Sequence, residues 1–250
     1  MPAPFAVCPK CGHSPPQPLG ATDVCPACGV YMHKWPPQRM VRFAAINESS
    51  DEDDTWRKRL LTLPDRDAGD SALLAVRAAL LLALLVWGLY LMTRDVTDGE
   101  VFQSFMHNIL LPIHEAGHVL FMLFGESLTI AGGSLFQVLL PLAIGAAFLI
   151  KNRDPFGAAV CLWWAGMSLV DLAPYIYDAL HPQLMLLGGH TGEDGPHDWI
   201  YLFELWGGLQ HAHVWGRFAR MTGALLALVA LSWAMLVLWR AYQSRRDEIA

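Results

Sequence analysis

The stretch Ile113-His114-Glu115-Ala116-Gly117-His118-Val119-Leu120-Phe121 decides how this chain is read. It sets two histidines and a glutamate in a segment apolar enough for the hydrocarbon of a bilayer. Residues four apart share one face of a helix, so His114 and His118 can hold a single metal ion between them. Glu115 then lies beside that ion, placed to take a proton from a metal-bound water. The blander reading is a polar helix face lining an interhelical contact. It leaves the cost of burying such groups in hydrocarbon without any compensation.

Outward from that stretch the chain stays apolar. Of 250 residues, 54% are hydrophobic and 16% charged, against about a quarter charged in soluble domains. Residues 127–150 and 221–239 carry no charge, 72–92 only Arg77, and 155–177 only Asp171. Each is long enough to cross a hydrocarbon core of roughly 30 Å, which takes about 20 helical residues. The motif segment, 107–124, is a marginal fifth span, and aromatic 199–215 reads as interfacial, re-entrant or a sixth. The expected fold is therefore an all-α polytopic membrane protein of five to six spans with a small N-terminal zinc ribbon. Its parts are the ribbon at 1–36, an acidic flexible linker at 37–71, a transmembrane domain at 72–240 and a tail at 241–250. Arg57, Lys58, Arg59 and Arg66 precede the first span, and Arg240, Arg245 and Arg246 follow the last. Basic flanks favour the cytoplasm, so both ends are expected there, which requires an even number of spans. Six spans put Lys151 and Arg153 outside, against the same rule, so topology stays open at this level.

Four of the five cysteines form two C-x-x-C pairs, Cys8/Cys11 and Cys25/Cys28. Two such knuckles supply four thiolates to one tetrahedral zinc. Two disulfides would need an oxidising compartment, whereas the opening MPAPFAVCPKCG has neither the basic nor the apolar region of a signal peptide. A cytoplasmic zinc ribbon is the better reading, and such modules bind protein partners. Cys161 reads as a small buried residue. A net charge of −6 gives no reason to expect nucleic acid.

Two histidines leave a catalytic zinc site short of a third protein ligand. The candidates are Asp178 and, as the alternative, Asp171, because a carboxylate in a span needs a cation or a partner. His107 falls on the stripe of His114 and His118 but two turns away, as a cavity-lining residue. His181, His190, His197, Asp198, His211 and His213 follow the last of these spans. They raise a second metal site, although a solvated loop is the plainer reading, and His197-Asp198 reads as an outer partner of the metal or a gate.

These residues resemble the site-2 protease class of intramembrane metalloproteases, the M50 peptidases. In that family an H-E-x-x-H helix pairs with a later span bearing an N-x-x-P…L-D-G motif whose Asp is the third zinc ligand. Pro174-Tyr-Ile-Tyr-Asp178-Ala179 stands where the P…L-D-G end would, with Ser168 near the place of the Asn and Ala179 replacing the Gly. Gly132-Gly133-Ser134 is similar to the turn that follows the family's catalytic helix. The resemblance covers 101–179 and implies a zinc endopeptidase with Glu115 as general base and His114, His118 and Asp178 as ligands. It would act on membrane-embedded or membrane-associated protein substrates in the bilayer. A second, structural zinc would sit on Cys8, Cys11, Cys25 and Cys28. The rivals are a non-proteolytic membrane scaffold working through its ribbon, and a metal transporter or sensor using the histidine-rich loop.

Overall fold

The computed structural model describes residues 5–8, 10–20, 22–32, 56–97 and 99–249, and the acidic run at 47–54 lies outside them. Two compact units divide the chain, Met1–Lys58 and Arg59–Ala250.

In the first unit the two cysteine knuckles repeat one backbone pattern. Cys8 donates its N–H to the His13 carbonyl and accepts from Gly12; Cys25 does the same with Val30 and Gly29. Gly12 and Gly29 take left-handed φ values of 72° and 69°, which glycine adopts without strain. Phe5 and Met32 bury Cys8 and Cys25.

The second unit is helical, with no strand among the described residues. Short helices at Trp56–Leu61 and Asp65–Ala68 fall in the expected linker. Then come α1 (Ser71–Met92), α2 (Phe105–Phe121) and α3 (Glu126–Ala147, continued by a π turn to Asn152). They are followed by α4 (Pro155–Asp178), α5 (Asp198–Trp206) and α6 (Ala212–Ile249). Among the described residues, four helices are long and apolar enough to cross a membrane: Ser71–Met92, Glu126–Asn152, Pro155–Asp178 and Leu209–Asp247. The expected five or six spans are thus corrected to four. The motif helix α2 has 17 residues, about 26 Å at helical rise, short of a roughly 30 Å core. Helix α5 has nine and ends at Gly207 with φ 67°.

The long helices alternate in direction. Gly88 of α1 faces Trp163 of α4, and Arg77 pairs with Asp154 at the start of α4, so α1 and α4 run parallel. Gly145 of α3 meets Cys161, while Ser168 donates to the Gln137 carbonyl, so α3 runs against α4. Helix α6 also runs against it, through Gly223 on Gly166 and Gly216 on Tyr177. The start of α1, the 151–154 connection and the end of α6 therefore lie at one end of the bundle. Arg77, the one charge of α1, is buried there between Asp67 (2.9 Å) and Asp154 (3.3 Å). Asp154 also caps α4 through the N–H groups of Phe156 and Gly157.

Helix α4 is the most enclosed of the four, and its seam with α6 is the most extensive. A Cβ on Gly166 would stand 2.7 Å from the Gly223 carbonyl and 2.9 Å from the Ala227 nitrogen. These are backbone atoms, which cannot swing aside. Without a hydrophobic drive in lipid, such close backbone approach is what holds helices together. Gly166→Val should destabilise the bundle by about 1–3 kcal/mol, as overpacking does, lowering the melting temperature in detergent. An unchanged transition would show that the seam is not as drawn.

Candidate metal centre

The centre forms where α2 crosses α3 and α5 closes over both. Close approach comes first: a Cβ on Gly117 would collide with the Gly132 carbonyl, so α2 and α3 touch backbone to backbone there. Gly132 and Gly133 were expected to form a turn. They lie inside α3 instead, and the reversal falls at Gly125, φ 95°. Their smallness serves proximity: a Cβ on Gly133 would stand 2.5 Å from His114 Nε2 and 2.6 Å from His118 Nε2. Glycine leaves that volume open to whatever the two nitrogens hold.

Both imidazoles have a fixed tautomer. His114 Nδ1–H donates to Gln137 Oε1 at 3.0 Å, and His118 Nδ1–H donates to the Thr129 carbonyl at 2.9 Å. Neither acceptor can donate in return, so each neutral ring presents its Nε2 lone pair inward. Outer partners of this kind are what orient metal-binding histidines. Opposite them stands Asp198, with Oδ2 3.0 Å from His114 Nε2 and 3.3 Å from His118 Nε2. The three ligand atoms lie within 4.8 Å of one another. The ligand edge of a tetrahedral zinc site with Zn–N of 2.0–2.1 Å is about 3.4 Å. Two lone pairs and a carboxylate at this separation repel unless a cation or added protons lie between them. The donor set therefore fits a metal.

Asp178 and Asp171, the expected third ligands, are not in this group. Asp178 Oδ1 accepts from Gln183 N (2.8 Å) and Leu184 N (3.1 Å), and its Oδ2 lies 3.6 Å from His197 Nε2. It thus ties down both ends of the 179–197 loop whose next residue is Asp198. Asp171 is held by His107 Nδ1 (3.1 Å) and Gln137 Nε2 (3.0 Å). The premise that a carboxylate in a span needs a partner was sound, but buried donors meet the need as well as a cation. Each aspartate stands one step behind that cluster.

Sequence reasoning gave Asp198 only an outer role and missed three supports. Gln137 links His114 to Asp171, Thr129 orients His118, and the Tyr175 hydroxyl accepts the Asp198 N–H at 3.0 Å. An amide in an uncharged span was a readable signal for Gln137; a backbone carbonyl leaves none. Glu115 is outside that group and lines the same cavity, about 560 Å³, as His107, Tyr175 and residues 183–187. His190 also lines it, while His181 and His213 lie together beside Tyr177. No second cluster forms from the loop histidines among the described residues.

In the N-terminal unit Cys8, Cys11, Cys25 and Cys28 converge within 4.8 Å. Cys8 to Cys28 and Cys11 to Cys25 are each 3.7 Å, against about 3.8 Å for the edge of a tetrahedron with Zn–S of 2.3 Å. Burial raises the Cys8 thiol, but hydrogen bonds from the amides of Cys11 and Lys10 and from the Cys25 and Cys11 thiols together outweigh it and bring it to about 6.

Comparison with family models, with curated proteins and with solved structures finds no match.

Asp198→Ala and Gly133→Ala should each cost the chain one bound metal ion by elemental analysis, the first by removing a ligand and the second by filling its place. Asp178→Ala should weaken retention, with occupancy recovering at higher free metal, because it only positions Asp198. Full loss in Asp178→Ala with none in Asp198→Ala would reverse the assignment.

Proposed function

We propose that this protein is an intramembrane zinc endopeptidase that hydrolyses peptide bonds of membrane-embedded or membrane-associated proteins, with Glu115 as general base. One observation carries the reading: two histidines with inward lone pairs and one carboxylate converge beside a glutamate on a cavity large enough for a short peptide. Three protein ligands and one open position are the pattern of catalytic rather than structural zinc. His114, His118 and Asp198 would hold the ion, which supplies a Lewis acid and lowers the pKa of its bound water. Glu115, on the same cavity, would accept a proton from the attacking water and pass it to the leaving amine. The loop at 179–197 walls the cavity and limits access of bulk water.

Four alternating spans also suit the charges. With both termini cytoplasmic, Lys151 and Arg153 fall on the cytoplasmic side as basic residues prefer. The four thiolates would bind a second, structural zinc in a cytoplasmic ribbon that docks a protein partner. The metal centre then opens toward the opposite face of the membrane.

Glu115→Gln should abolish cleavage in detergent or liposomes while leaving about two zinc ions per chain. Cys8→Ser should leave one. Full proteolysis by Glu115→Gln would remove the mechanism, and one zinc per wild-type chain, lost with Cys8→Ser, would favour the scaffold.

A further inference from the structure

Five cavity-lining residues of α2, His107, Leu111, His114, Glu115 and His118, form one continuous stripe along the helix. The metal end of the stripe is accounted for, whereas His107 at its other end is not. Its Nδ1 meets both oxygens of Asp171, at 3.1 and 3.3 Å. Asp171 is itself buried and fixed by Gln137. Phe102 stacks on the imidazole with ring centroids 4.2 Å apart and 25° between planes. The ring is thereby locked in position and tautomer: Nδ1–H donates to Asp171, and Nε2, without a partner among the described residues, presents a lone pair on a ring that lines the cavity.

Seven residues separate His107 from His114, about 10 Å of helical rise. An extended peptide advances about 3.4 Å per residue, so the same distance holds about three residues of a bound chain.

We infer that His107 is a substrate-register residue: with the scissile bond at the metal, its Nε2 accepts a backbone N–H of the peptide about three residues away. This rests on the peptidase reading of the same cavity. Asp171 is a positioning residue that sets the tautomer. The contact is to backbone, so it recognises an extended chain of any sequence and fixes how far that chain lies along the cavity.

The test uses hydroxamates carrying zero to four extended residues on either side of the chelating group, with dissociation constants measured on the purified, zinc-loaded full chain. For wild type, affinity should step up about five- to tenfold when the residue about three places away is added, the worth of one hydrogen bond. N-methylation of that amide should remove the step. His107→Ala should bind acetohydroxamate, the zero-residue probe, as wild type does, which controls for folding and metal loading, and should show no step. Asp171→Ala should likewise lose the step. A step that persists in His107→Ala, or that survives N-methylation, overturns the inference and leaves the metal centre standing. Absence of zinc-dependent acetohydroxamate binding to wild type overturns the peptidase reading itself, and this inference with it.

Discussion

Two hydrogen bonds that point away from the cavity determine what the cavity is. His114 gives its Nδ1 proton to Gln137, and His118 gives its own to a carbonyl of α3. Had either proton been free to move to Nε2, the two rings and Asp198 could settle their charges among themselves as an ordinary polar cluster. With the protons committed elsewhere, three acceptors face one point. The need for a cation or added protons there is imposed from outside the site, by α3, and the rest of the bundle follows from holding α3 in place.

That placement explains the distribution of small residues. Helix α2 reaches α3 only because Gly117 and Gly132 let backbones touch, and Gly133 keeps the converging point clear. Helix α4 carries the buried carboxylates, and its tight seam with α6 fixes their height. Asp171 and Asp178 are costly groups in an apolar helix. Asp171 is fully engaged with His107 and Gln137, and Asp178 holds both ends of the loop that delivers Asp198.

The sequence was legible where a signal is local. Helical spacing put His114 and His118 on one face, and knuckle spacing brought the four cysteines together. Apolar length found all four long helices. It overcounted because α2 is rich in apolar residues yet too short, a difference of a few residues that composition blurs. The third member of the cluster was not legible. Asp198 sits in the first turn of a short helix, where an aspartate is ordinary, and only the path of the loop brings it to α2. Asp178 looked better because its surroundings in sequence are apolar, but the structure supplies the donors that sequence cannot show. The pair Gly132-Gly133 illustrates the same limit. Two glycines read as a turn when the neighbouring helix is unknown.

The two candidate centres also differ in how far apart their ligands lie along the chain. The four cysteines fall within Cys8 to Cys28, a short loop that closes at little entropic cost. In the second unit, His118 and Asp198 are separated by α3, α4 and the loop that follows. Synthesis delivers the histidines long before the aspartate, so the first centre can load while the chain is still emerging. The second has only two of its ligands until α4 is in place and the loop has folded back. Metal capture there would be the last event of assembly, and a half-built bundle would lack the full donor set.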